Sequence, residues 1–171
     1  MADPLFIGEV GNTPLGSLWL AVSKHGLVAV EWSPNRRAFT KFVEKRYGRP
    51  VELAPEKIKA FAVQLREYLN GQRSRFTFPI DWSVLSDFQR AALRATFAIP
   101  YGQTRTYKQL AEQLGNPRAA RAVGRAEATN PMPLVIPCHR LVGSDGELHG
   151  YGGGDGLPTK EWLLRLEGAR H

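Results

Sequence analysis

Within the first third of this 171-residue sequence, Ser17-Leu18-Trp19-Leu20-Ala21-Val22 alternates so that Leu18, Leu20 and Val22 share one face. After a turn at Lys24-His25-Gly26, the residues Val28, Val30 and Trp32 repeat the alternation. Two alternating runs joined by a glycine-containing turn read as a β-hairpin. From Ser86 onward the pattern is mostly helical. That change of period constrains the fold more than any other feature. It predicts an α/β N-terminal lobe over residues 1–82 and a mainly α C-terminal lobe over residues 83–171.

The hairpin ends at Pro34-Asn35. Arg37 to Tyr47 is predicted as an amphipathic helix with Phe39, Phe42 and Val43 on one side, ended by Gly48 and Pro50. Glu56 to Leu69 is a second, with Ile58, Phe61, Leu65 and Leu69 at helical spacing. Gln72 to Trp82 has no clear period and reads as the connection between lobes. Beyond it, Ser86 caps a helix from Phe88 to Ile99, and Thr106 caps another from Tyr107 to Leu114 that stops at Gly115-Asn116. Pro117 suits the first turn of the next, through Ala119, Ala120, Ala122 and Val123. Two short helices joined by Gly-Asn-Pro form a helix-turn-helix candidate.

The second of those helices interleaves small residues (Ala119, Ala120, Ala122, Gly124) with Arg118, Arg121 and Arg125. Small residues by themselves indicate tight helix packing; with arginines between them they also fit close approach to another surface. Across residues 84–140, Arg90, Arg94, Arg105, Lys108, Arg118, Arg121, Arg125 and Arg140 face only Asp87, Glu112 and Glu127. Most of the chain's net charge of +7 lies in that window, as expected for a polyanionic partner bound through phosphates. The N-terminal segment lacks the pattern of a secretory signal, and no apolar run approaches the ~20 residues that cross a bilayer. The expectation is a cytoplasmic protein without a membrane partner.

Cys138 is the only cysteine, so no disulfide within the chain and no multi-thiolate zinc site can form. A lone cysteine ordinarily just packs. Here it sits in Ile136-Pro137-Cys138-His139-Arg140, beside an imidazole and a guanidinium, groups that lower a thiol pKa when they face it. Residues 138 and 139 on an extended segment would point to opposite sides, which disfavours a direct protease-like Cys–His dyad.

From about Phe88 to Gly168 the sequence resembles the O6-alkylguanine-DNA alkyltransferases. The resemblance rests on Asn130-Pro131, then Val135-Ile136-Pro137-Cys138-His139-Arg140, and then Tyr151-Gly152-Gly153-Gly154. Ile99-Pro100-Tyr101-Gly102-Gln103, the Gly115 to Gly124 run and Lys160-Glu161-Trp162-Leu163-Leu164 with Glu167-Gly168 support it. It implies a small ribonuclease-H-like sheet with helices in the N-terminal lobe and a winged-type helix-turn-helix in the C-terminal one. It also implies a single-use protein, without cofactor, that flips the alkylated base from double-stranded DNA and takes the alkyl group onto Cys138.

On the same resemblance, His139 acts as a base through a bridging water, oriented by Glu167, and Asn130 holds the turn that carries the thiol. Arg121 fills the gap left by the flipped base, while Ala119, Ala120, Ala122, Gly124 and Arg118 approach the duplex. Tyr107 serves guanine N3 and the phosphate. Pro133, Leu141, His149, Tyr151, Gly152 and Gly153 form the pocket. Leu141 stands where valine is usual, and His149 where a small residue would leave more room, so methyl adducts should enter more readily than benzyl ones. No metal is expected, and the protein is expected to be a monomer. The rival readings are an alkylguanine-binding marker protein of the same fold, a helix-turn-helix regulator and a cysteine hydrolase. The retained thiol argues against the first. The second lacks the cysteine-rich metal domain of alkyltransferases that regulate genes.

Overall fold

The computed structural model describes residues 2–169, and the chain divides into two compact units, Met1–Val84 and Leu85–His171. In the first, β1 (Leu5–Val10), β2 (Leu18–Ser23), β3 (Gly26–Trp32) and β4 (Val51–Leu53) form one sheet in the order β3-β2-β1-β4. β1 and β2 are antiparallel, as are β2 and β3, and β4 runs parallel to β1. The expected hairpin is β2–β3. Its alternation suggested one buried face, yet every residue of β2 is buried.

The reason is a helix on each side. Side chains alternate across a strand, so Ile7 and Ala21 share one face and Gly8 and Leu20 the other. On the first face, α1 (Arg36–Tyr47) packs Phe39 and Val43 against Leu5, Ile7, Trp19 and Ala21. Asn35 caps α1 by accepting from the Ala38 N–H at 2.9 Å. On the other face, α2 (Pro55–Leu69) lies so close to β1 that a Cβ on Gly8 would fall 2.4 Å from Ile58. Trp19 and Ala21 are thus as buried as the alternating leucines.

The 72–82 connection does more than connect. The Leu27 N–H donates to the Pro79 carbonyl at 3.0 Å and the Asp81 N–H to the Leu27 carbonyl at 3.0 Å, which seats Ile80 beside β3. Asp81 is buried and accepts from the Ser23 hydroxyl at 2.6 Å.

The second unit is mainly helical: α3 (Asp87–Phe97), α4 (Tyr107–Gln113), α5 (Ala120–Ala128) and α6 (Leu157–Leu166). Ser86 and Thr106 are the N-caps expected, and Thr106 completes a capping box with Gln109. Between α4 and α5 the chain turns at Gly115 (φ 80°) and makes one 3-10 turn at Pro117–Ala119. Ile99, Leu110, Ala111, Ala119, Val123 and Leu141 form the core that joins these helices. Two short strands, β5 (Arg105–Thr106) and β6 (Leu141–Val142), pair in parallel. No helix among the described residues is long and apolar enough to cross a membrane.

Candidate active site

The thiol is placed by a tightly held turn that follows α5. Asn130 accepts from the Met132 N–H at 2.9 Å and donates its own amide to the Ile136 carbonyl at 3.0 Å. Within that loop Leu134 has φ 74°, a left-handed conformation that a leucine keeps only when its surroundings force it. Cys138–Arg140 then forms a single 3-10 turn, closed by the Arg140 N–H donating to the Pro137 carbonyl at 2.9 Å. The extended geometry expected for Cys138 and His139 is therefore corrected to a turn. Every residue from Pro131 to Gly143 is buried.

His139 and Arg140 point at a carboxylate. His139 Nε2 lies 2.8 Å from Glu167 Oε2, and Arg140 donates through Nε to Oε1 at 2.8 Å and through Nη2 to Oε2 at 3.0 Å. The Gly102 N–H adds a fourth donor at 3.2 Å. Burial would raise the Glu167 carboxyl, but His139 and Arg140 outweigh it and hold it far below the usual carboxylate range. Burial, helped by Arg140 and Lys160, pushes His139 below its ordinary value despite Glu167. A neutral imidazole that donates from Nε2 to an ionised carboxylate presents Nδ1 as its proton acceptor. Arg140, unassigned from sequence, is the anchor: its Nη1 also donates to the Ile99 carbonyl at 2.6 Å.

Because Arg140 is committed to Glu167, adjacency in sequence does not activate the thiol. Burial first, and then the Glu127 carboxylate, push Cys138 up to about 12, while Asn130 and Lys160 pull the other way.

Cys138 opens onto a cavity of about 630 Å³ whose walls include Tyr107, Arg121, Gly124, Glu127, His149, Tyr151 and Gly152. Six of these, Tyr107, Arg121, Gly124, His149, Tyr151 and Gly152, are among the expected site residues, as is Ala120, which also lines the cavity. Pro133, Leu141 and Gly153 are not on the wall, although all three are buried. The Leu141 side chain belongs to the core between α4 and α5. Under the cavity lies Lys160, fully buried, donating to the His149 carbonyl at 2.9 Å and to the Tyr107 hydroxyl at 3.5 Å. Among the described residues, no group of His, Cys, Asp and Glu is arranged to hold a metal ion.

The outer rim is the arginine-bearing helix. Arg118, Arg121 and Arg125 are exposed, and Ala120, Ala122 and Gly124 are half-buried. Ala119 is not at the surface; it is a core residue. A Cβ built on Gly124 would meet nothing within 4 Å among the described residues. The glycine is thus not required by helix packing, and its missing side chain leaves space at the cavity mouth. Glu127, Lys160 and Thr96 were missed from sequence. Glu127 could have been found, since it lies three residues after Gly124 and seven after Ala120 on one helix face.

The family model for the 6-O-methylguanine DNA methyltransferase DNA binding domain matches residues 87–169, and that for the ribonuclease-like domain of the same proteins matches residues 8–82. The chain is 38% identical over 161 residues to the methylated-DNA–protein-cysteine methyltransferase of Methanosarcina barkeri, covering 93% of this chain and 95% of that one. It is 40% identical to the protein of that name from Shigella flexneri over 162 residues, 91% of this chain and 92% of that one. The crystal structure of Mycobacterium tuberculosis OGT in complex with DNA superposes with a TM-score of 0.78 at 33% identity, over 96% of this chain and 92% of that one. In both of its lobes the chain belongs to the 6-O-methylguanine DNA methyltransferase family.

Proposed function

We propose that this protein repairs O6-alkylguanine in duplex DNA by moving the alkyl group irreversibly to its own Cys138, one group per molecule, acting as a single chain. The observation that carries the reading is the cavity: it joins the chain's only thiol to an exposed arginine and an open glycine on the helix-turn-helix. Exposed Arg118 and Arg125 bind phosphates, and Arg121 enters the duplex where the alkylated base leaves it. Ala120, Ala122 and Gly124 let the helix approach closely.

The base then lies over Cys138 with Tyr151 and Gly152 beside it. The thiol proton passes through a water to Nδ1 of His139, whose Nε2–H is held by Glu167. The sulfur pair attacks the alkyl carbon from behind, the C–O6 bond breaks, and its electrons stay on guanine. Tyr107 meets the developing charge at N3, and the Gly152 N–H meets it at O6. Because the resting thiol is held neutral, ionisation has to coincide with base entry. His149 on the cavity wall narrows the space for large adducts.

Intact-protein mass spectrometry after incubation with O6-methylguanine duplex tests this. One methyl per protein, mapped to Cys138 and absent in Cys138→Ser, is expected, with slower transfer from a benzyl adduct that His149→Gly speeds up. Product formation beyond one per protein, with an unmodified cysteine, would refute the reading.

A further inference from the structure

Glu127 has no task in the transfer described above, yet it is a buried carboxyl in the wall of the same cavity as Cys138. Among the described residues, Oε2 has no hydrogen-bond partner. Oε1 lies 2.5 Å from the Thr96 hydroxyl oxygen, which is also 3.0 Å from the Ala92 carbonyl. A threonine hydroxyl has one hydrogen and cannot serve both oxygens. Both contacts are made at once when Glu127 carries a proton and donates to Thr96, which donates on to Ala92. A neutral carboxylic acid is also what a site with so few donors can hold.

The groups facing Glu127 can be named element by element. α3 offers the Thr96 hydroxyl, α4 the Tyr107 phenol, the 3-10 turn the Cys138 thiol and α6 the Lys160 ammonium. On its own helix Arg121 and Arg125 are exposed. Thus one buried cation faces two groups that can each become an anion. Ionising both is unfavourable, because like charges in a site of low polarity each resist the other's formation.

We propose that Glu127 is a positioning residue that gates the nucleophile: protonated, it lets Lys160 stabilise the Cys138 thiolate; ionised, it takes Lys160 for itself and holds the thiol neutral. The gate rests on Cys138 being the alkyl acceptor, and sets a upper pH limit to a step that otherwise speeds up with pH. Burial pushes the Glu127 carboxyl up to about 8 against the pull of Thr96 and Lys160, so the gate operates just above neutrality. Burial likewise brings Lys160 down to about 8, against Cys138 and Glu127.

The test reads thiol ionisation without DNA. Intact protein is alkylated with iodoacetamide from about pH 6 to 10, and the rate of label gain at Cys138 is followed by mass spectrometry. In wild type the logarithm of the rate should flatten above about pH 8 more strongly than in Glu127→Gln. The two curves should coincide near pH 6.5 and separate by about ten-fold at pH 9.5, the effect of shifting the thiol by one pKa unit. Loss of Lys160 charge bends both curves, so their ratio isolates Glu127. Parallel curves at every pH would overturn the gate. Should Glu127→Gln fail to fold, Thr96→Val serves instead: it leaves the carboxyl in place, and an unmoved bend in that variant would overturn the gate equally. A gate seen with iodoacetamide but no transfer from O6-methylguanine DNA would leave the gate standing and remove the proposed function.

Discussion

Two buried glutamates in the same lobe have opposite charge states. Glu167 receives four donors, two of them from Arg140. Glu127 has the Thr96 hydroxyl at one oxygen and, among the described residues, no hydrogen-bond partner at the other. Both are 6% exposed, so burial alone cannot decide between them. The number and charge of the donors does: Glu167 is held far below the usual carboxylate range, and Glu127 is pushed up to about 8. The first can orient a base throughout the working pH range. The second is a group whose charge changes within it.

Removing the first carboxylate should have the largest effect. Glu167→Ala strands the Arg140 guanidinium in a buried site, and taking one partner from a buried ion pair costs about 3–5 kcal/mol. The sign with pH follows from linkage. The folded carboxyl ionises below its unfolded value, so its stabilisation is present above the ordinary glutamate range and lost as pH falls through the folded value. Chemical denaturation at pH 7.5 and pH 4 should therefore show a large gap between wild type and variant that shrinks in acid. An equal gap at both values would mean that the pair contributes only packing.

Glu127 should behave in the opposite way, and more weakly. Its unfolded carboxyl releases a proton near 4.5, while the folded one keeps it to about 8. Between those values the folded state binds more protons, so stability falls as pH rises. Glu127→Gln abolishes that slope. From pH 5 to pH 8 the stability difference should move in favour of the variant by on the order of 3 kcal/mol. Denaturation midpoints at the two pH values, with an unchanged dependence on denaturant, measure it. A constant difference would place the Glu127 carboxyl in its ordinary range.

The same contrast explains what was legible in the sequence. Cys138, His139, Asn130 and Glu167 were found because their spacing resembles a family, and the structure puts His139 and Glu167 within 2.8 Å. Arg140 stands inside the recognised motif, yet nothing in a linear string shows that a guanidinium turns inward. In sequence Glu127 is one charge opposing the arginines of its helix. Its place on the face of Ala120 and Gly124 is legible, but its burial depends on α3 packing against α5, a long-range contact with no local signature. Pattern failed at β1 and β4 for a similar reason. Leu5-Phe6-Ile7-Gly8 does not alternate because helices cover both faces, and β4 has three residues, too few to carry a period. Leu141 is placed in the pocket by the resemblance alone, and its side chain belongs to the core between α4 and α5.

The smallest effect separates the two carboxylates at the level of one hydrogen bond. Glu167 takes much of its support from a backbone N–H and from charged donors, whereas Glu127 depends on one hydroxyl that can be deleted without changing shape. Thr96→Val should cost about 1–2 kcal/mol, the usual penalty for leaving a buried polar group without its partner. Its effect on titration has a definite sign. Thr96 helps neutral Glu127 by accepting its proton, but helps ionised Glu127 more by donating to it, because hydrogen bonds to a charged oxygen are stronger. Losing the hydroxyl therefore penalises the ionised form and moves the Glu127 titration upward. The bend in thiol reactivity should shift to higher pH by a fraction of a unit, with Lys160 unchanged. A downward shift would mean that Thr96 acts mainly as the acceptor of the Glu127 proton, and that the neutral acid owes its persistence to that bond more than to burial.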